Sequence, residues 1–311
     1  MKITYDKKRK DITFCTMLFK MPAQGSFNTL KRMDRGFENF YLPSLKRLIE
    51  TFGRVALWCD QETADYIKQA GLIKNVSMRV MNMSDLPHWS ERDDWLKILH
   101  QMKKYRGNLL RRKTPEQWID YLMMINAKPA ILDWAATTNK FKTDYFMWID
   151  AGALNSNYNG VWHGGGRWRG GVYARPKSRV RISIQPTMGR ARPRGVPRFV
   201  YDIYRKISGP ISDATRETLV RQNMRDIAMI NADYDVPACA MIMDADTTHR
   251  FYERYEHTRI FMKRHGLVST EQAVFLTMMK FDSGDMFELM YVRGYVGVYG
   301  AVADKNPDYI L

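Results

Sequence analysis

The chain has 311 residues, 45% hydrophobic and 26% charged, which excludes wholesale disorder and allows a large buried core. Its formal net charge of +16 points to polyanionic partners: nucleic acid, an anionic membrane surface or phosphorylated substrates. No run of about eighteen apolar residues and no signal-peptide core before Asp11 occur, and Cys15, Cys59 and Cys239 each sit in an apolar run as reduced thiols would, so a cytoplasmic protein without a membrane span is expected.

Residues 12–18 (ITFCTML) read as a buried first strand, followed by a polar, glycine-containing loop over 20–35. Tyr41, Leu45, Leu48, Ile49 and Phe52 recur at helical spacing, with Pro43 near the start and Gly53 just past the end. Residues 54–59 (RVALWC) form a second strand ending at Asp60, residues 63–70 a short helix stopped by Gly71, and residues 76–81 a third strand. This βαβαβ opening predicts a parallel sheet with a nucleotide crevice. A helical pattern fills 93–138, carried by Trp95, Ile98, Leu99, Met102, Trp118, Tyr121, Leu122 and Ile125. A strand over 145–150 follows. Residues 155–198, with Gly164–Gly166, Gly170, Gly171 and four prolines, break the rhythm. They read as a long excursion over the active face, partly a hairpin of 172–174 with 180–184. Helix at 213–230, strand at 237–243, helix at 246–263 (capped by Asp246 or Thr247), helix at 269–280 and a terminal strand at 291–299 complete the pass. No repeat, heptad or low-complexity tract appears.

The most informative stretch is Asp144-Tyr145-Phe146-Met147-Trp148-Ile149-Asp150-Ala151-Gly152. A strand that ends in a carboxylate and then two small residues suits a divalent metal and its phosphate ligand, because ligands gather at the carboxyl ends of such strands. The alternative is an Asp that caps the next turn. Asp244-Ala245-Asp246 spells the same motif, but a strong helical pattern follows it and capping explains it better. Ser269-Thr270-Glu271-Gln272 opens a helix, either as an active-site element or as a plain capping arrangement.

Charge is uneven. Residues 151–201 contain no Asp or Glu but hold Arg167, Arg169, Arg175, Lys177, Arg179, Arg181, Arg190, Arg192, Arg194 and Arg198, and a second basic run is Lys103, Lys104, Arg106, Arg111, Arg112 and Lys113. Arginine forks onto phosphates, and Trp162, Trp168, Tyr173 and Phe199 interleave with it as in surfaces that stack bases; anchoring of a long loop is the other reading. His163 beside the glycines is a ligand candidate or a plain surface histidine. The six histidines show no paired metal spacing, and HExxH, CxxC, GxSxG and a phosphate-loop Gly-Lys-Ser/Thr are all absent.

Taken together, several of these segments resemble the HtrL/YibB family: ITFCTML, FENFYLPSLKRLIE, VALWCD, Ala127-Lys128-Pro129-Ala130, the signature from Thr143 to Gly152, and Glu271-Gln272-Ala273-Val274. The resemblance covers residues 12–59 and 127–152 closely and 237–280 loosely. It implies a GT-A-like α/β fold, with a mostly parallel Rossmann-type sheet flanked by helices. The single domain would divide into a nucleotide-sugar half (1–152), a basic insertion (153–200) and an acceptor half (201–311). It implies a glycosyltransferase using a nucleoside-diphosphate sugar, a UDP-sugar foremost, with Mn²⁺ or Mg²⁺ on Asp150. Asp150, Glu271 and Gln272 would be catalytic, and Thr16, Lys20, Asp60, Lys128, Asp150 and Gly152 would hold the donor. Glu271-Gln272 matches an Asp-Gln element beside the anomeric carbon, which suggests retention. Gly152 stands where the metal motif has its second Asp. The expected acceptor is a hydroxymethylated base in viral DNA, contacted by Arg167, Trp168, Arg169, Arg175, Arg179, Arg190, Arg192 and Arg194. Alternatives are a lipopolysaccharide or glycolipid at the inner membrane face, and a catalytically dead nucleic-acid-binding module.

Overall fold

The computed structural model describes residues 12–21, 36–101, 114–154, 178–186, 234–235, 238–281 and 286–291. The expected helix at 213–230, the strand residues beyond 291, both ends of the chain and most of the arginine-rich excursion lie outside them.

The opening half follows the sequence pattern. Strand β1 (Ile12–Leu18) is buried along its whole length. A short π-helical turn (Phe37–Tyr41) leads into α1 (Leu42–Phe52), which has a proline in its first turn and ends at Gly53 with φ 70°, the left-handed conformation glycine adopts without strain. Strand β2 (Val55–Cys59) runs to Asp60, whose side chain caps α2 (Gln61–Gln69) by accepting the Thr63 N–H. Strand β3 (Val76–Val80) follows. The helical stretch predicted over 93–138 is three helices: α3 (Arg92–Gln101), α4 (Pro115–Asn126) and α5 (Lys128–Thr138). Proline marks the first turn of α4 and of α5, where its missing N–H costs nothing. Strand β4 (Tyr145–Ile149) is buried throughout.

The second half departs more. Strand β5 (Val180–Pro186) joins the main sheet, antiparallel to β7 (Ala240–Asp244) and parallel to β8 (Phe287–Tyr291). Its expected partner at 172–174 lies outside the described residues. A short β6 (Tyr234–Asp235) pairs with the end of β5. Helix α6 (Ala245–Arg264) is capped by Asp244, not by Asp246 or Thr247, and α7 (Glu271–Phe281) packs beside it. The last described strand starts at Phe287, ahead of the predicted 291.

The strand order is β3-β2-β1-β4-β7-β5-β6, with β8 on β5. Strands β1 to β4 are mutually parallel and β7 runs against β4, so the sheet is mostly parallel and sandwiched by helices. Alternation along the strands feeds two cores. Cys15, Met17, Phe146, Trp148, Met241 and Met243 face α4, α5, α6 and α7. Ile12, Phe14, Met147 and Ile149 face α1 and α2. Phe14 stacks on Phe52 with ring centroids 3.9 Å apart, locking β1 to α1. Each fully buried side chain of this size contributes about 1.5–3 kcal/mol.

Candidate active site

Chain order reverses beside β1, which has β2 on one flank and β4 on the other; ligands collect outside the carboxyl ends of strands at such a point. Four sequence-derived candidates line that edge: Lys20 after β1, Asp60 after β2, and Asp150 with Gly152 after β4.

Asp150 carries the geometry. Its side chain is 43% exposed, and its Oδ1 accepts from Trp148 Nε1 at 2.8 Å and from Lys128 Nζ at 3.3 Å. Trp148 and Asp150 are two residues apart on a strand and so share a face. Lys128 opens α5 on that same face, its ammonium 5.1 Å from the Trp148 ring centroid. The ammonium also donates to Glu271 Oε1 at 2.7 Å and to the Ala238 carbonyl at 3.0 Å, so its three donors have three acceptors. Lys128 and Glu271 are both buried. Burial disfavours the Lys128 ammonium, yet Asp150 and Glu271 outweigh it and hold the group charged, its pKa above the ordinary value. For Glu271 burial wins: its carboxyl is pushed up despite Lys128, and Asp150 adds to the rise.

Three distant segments therefore meet at one point: the α5 start, the β4 end and the α7 start. Asn126 secures them. Its Nδ2 donates to the Ser269 carbonyl at 3.0 Å, just ahead of Glu271, and its Oδ1 accepts from the Tyr255 hydroxyl. Sequence reasoning missed Trp148 and Asn126. The i, i+2 relation to Asp150 was a readable signal for Trp148; Asn126 had none.

The other candidates divide. Lys20 donates its backbone N–H to Asp60 Oδ2 at 2.5 Å, while its ammonium pairs with Glu62 at 2.8 Å and Glu38 at 3.2 Å. Those two carboxylates raise its pKa. Lys20 and Asp60 thus bind each other at the ends of β1 and β2, and the charge of Lys20 is already balanced. Thr16 is fully buried, and its Oγ1 has no hydrogen-bond partner, so it lies beneath the crevice rather than in it. Gln272 follows Glu271 and is partly exposed, which leaves it the open group of that pair.

Asp244 lies at the far end. It pairs with Tyr145, the first residue of β4, and its oxygens accept from the Thr247 and Ser178 N–H groups. The Asp-x-Asp segment caps a helix as expected, but through Asp244 rather than Asp246 or Thr247. Exposed Arg179 adjoins Ser178 and so shares this far end; at about 3.3 Å per residue it stands roughly 15 Å from Asp150. Arg167, Trp168, Arg169, Arg175, Arg190, Arg192, Arg194 and His163 lie outside the described residues.

A divalent metal fits this donor set poorly. Oxygen-loving cations need several oxygen ligands, whereas among the described residues no cluster of three or more His, Cys, Asp or Glu groups could hold one. Asp150 Oδ1 already serves two donors. A Cβ on Gly152 would lie 2.8 Å from Phe40 Cε1 and 3.2 Å from Tyr41 Cε1, so a second Asp has no room there.

Fold and site together define a mostly parallel α/β protein with a carboxylate–lysine cluster at its switch-point crevice. The chain belongs to the HtrL_YibB family, described as bacterial protein of unknown function, which matches residues 10–214. Among solved structures it is similar to core-mannan synthase A from Aspergillus fumigatus in a manganese/GDP form: TM-score 0.44, 9% identity, 92% of this chain and 74% of that one. It is also similar to mouse xyloside xylosyltransferase 1 in its apo form: TM-score 0.32, 11% identity, 90% of this chain and 85% of that one. No curated protein matches. No helix among the described residues is long and apolar enough to cross a membrane.

Proposed function

We propose that this chain is a GT-A-type glycosyltransferase that moves a sugar from a nucleoside-diphosphate sugar, a UDP-sugar foremost, to a polyanionic acceptor. One observation carries the reading: a half-exposed carboxylate, Asp150, stands at the switch-point mouth, oriented from beneath by Trp148 and by Lys128, which Glu271 holds from the start of α7.

In transfer, the bond from the anomeric carbon to the diphosphate breaks as the acceptor oxygen bonds to that carbon, and the acceptor's hydroxyl proton passes to the departing diphosphate. Asp150 is placed to accept hydrogen bonds from the donor sugar. Gln272, partly exposed where Glu271 is buried, offers its amide carbonyl to the developing positive charge. Glu271 supports this arrangement through Lys128. The departing diphosphate would be met by arginines of the acid-free stretch.

That stretch also favours nucleic acid as acceptor, specifically a hydroxymethylated base in viral DNA, because arginine interleaved with tryptophan both grips phosphates and stacks on bases. The test incubates the protein with a panel of nucleoside-diphosphate sugars and measures nucleotide release, alone and with hydroxymethylated duplex DNA or a glycolipid. Donor turnover lost in Asp150→Asn supports transfer. Transfer to glycolipid but not to DNA would redirect the acceptor, and DNA binding without any turnover would leave a binding module.

A further inference from the structure

We infer that the cationic position beside Asp150 is filled by the chain's own lysine, so that this centre holds no divalent metal and transfers sugar without one. For its catalytic half the inference rests on the transferase reading; for its metal half it stands on geometry alone.

Three observations converge. The Lys128 ammonium is buried and has Asp150 Oδ1 at 3.3 Å, Glu271 Oε1 at 2.7 Å and the Ala238 carbonyl at 3.0 Å. A permanent positive charge therefore already collects one oxygen each from Asp150, Glu271 and Ala238. A divalent ion drawn to Asp150 would have to sit against that charge, in a setting where burial weakens screening. Second, the position two residues on, where a partner carboxylate would complete a chelate, is Gly152, and the Phe40 and Tyr41 rings close over its Cα. Third, the 151–154 turn is fastened in its closed form by three hydrogen bonds. Ala153 N–H donates to the Asp150 carbonyl at 2.9 Å, Leu154 N–H to Ser44 Oγ at 3.1 Å, and Arg47 Nη1 to the Leu154 carbonyl at 3.0 Å. An ammonium offers three directed hydrogen bonds and needs no water shell stripped at each turnover, whereas a Mg²⁺-type ion, usually held by one or two carboxylates with substrate phosphates and waters, would have Asp150 alone here, already bound to Lys128.

Mn²⁺ binding is measured directly by electron paramagnetic resonance on the full chain, with and without UDP, for wild type and Asp150→Asn. Donor turnover is measured in parallel in EDTA and in added Mn²⁺. The expected result is no Mn²⁺ site that depends on Asp150, and turnover equal within about twofold in the two buffers, since no cation-dependent charge stabilisation is lost. Lys128→Met should free Asp150 and Glu271 and create Mn²⁺ binding that Lys128→Met/Asp150→Asn loses again. A one-to-one Mn²⁺ site in wild type that disappears in Asp150→Asn overturns the inference. Turnover abolished by EDTA and restored by Mn²⁺ overturns it as well. Absence of turnover in every buffer defeats the transferase reading instead, while the resonance measurement still decides the metal question. The comparison of wild type with Asp150→Asn needs no folded Lys128 variant.

Discussion

Lys128 Nζ lies 2.7 Å from Glu271 Oε1, a buried ion pair between residues 143 positions apart that joins the first turn of α5 to the first turn of α7. Such a pair is expensive to assemble and more expensive to halve. Lys128→Met, which strands Glu271 inside, should cost about 3–5 kcal/mol in urea unfolding, and Lys128→Met/Glu271→Leu should recover much of it. If the double variant is no more stable than the single, the pair is not the energetic unit described.

Asp150→Asn tests the site with little structural penalty. The amide oxygen can still accept from Trp148 and Lys128, and the side chain is half exposed, so the urea midpoint should move little. Donor turnover should fall ~100-fold or more, the usual scale for removing one preorganised electrostatic group. Asp244→Ala should behave oppositely. Loss of the α6 cap should cost about 1 kcal/mol, and turnover should be unchanged, because Asp244 sits at the other edge of the sheet.

Gly152 reports on close approach. With Phe40 Cε1 2.8 Å from the place a Cβ would take, Gly152→Ala should destabilise by about 1–3 kcal/mol, the usual cost of overpacking. Phe40→Ala in the same chain should relieve the clash. Thermal unfolding of the two single variants and the double one decides this; strict additivity would mean the two positions do not touch.

A second ionic assembly sets acid stability. Glu91 receives Arg259 Nη1 at 2.9 Å, Arg259 Nη2 at 3.1 Å and Lys263 Nζ at 3.0 Å. Burial alone would raise its carboxyl, but these two cations hold it down at about 2 from the ordinary 4.5. The unfolded chain takes up that proton near 4.5 and the folded chain only near 2, so the stabilisation is complete above 4.5 and is lost as pH falls between them. Buried His88, held below its ordinary value of 6.5 by burial, adds an earlier loss, because the unfolded histidine protonates first as pH drops through 6.5. Urea midpoints from pH 7 to 3 should fall in both ranges. Glu91→Gln should flatten the lower one, and an unchanged slope there would count against it.

The readable part of this protein was local. The βαβαβ opening, α1 with Pro43 and Gly53, and the strand ending at Asp150 follow from periodicity and terminus chemistry, and each is present. The Asp244-Ala245-Asp246 segment was legible as a helix cap because a helical pattern starts right behind it, though the cap is Asp244 and not Asp246 or Thr247. What escaped was non-local. Lys128 sat in a recognisable segment, but nothing in its neighbours says that a lysine is buried, since lysines rarely are. Phe40 over Gly152 joins two segments that no spacing rule connects. The pairing of β5 with β7 and β8 likewise joins segments far apart along the chain.

That last pairing governs the order in which the molecule can be built. Val180 stands in register with Phe287 and donates its N–H to the Met286 carbonyl at 2.7 Å, so β5 emerges from the ribosome roughly a hundred residues before the strand that flanks it. The β1–β4 layer can collapse early, against α1, α2 and α5. The opposite margin of the sheet must wait, its backbone amides uncovered, until the C-terminal segment arrives. A chain released before residue 287 would carry a complete opening layer beside a bare β5 edge, and such fragments should aggregate where the full-length product does not.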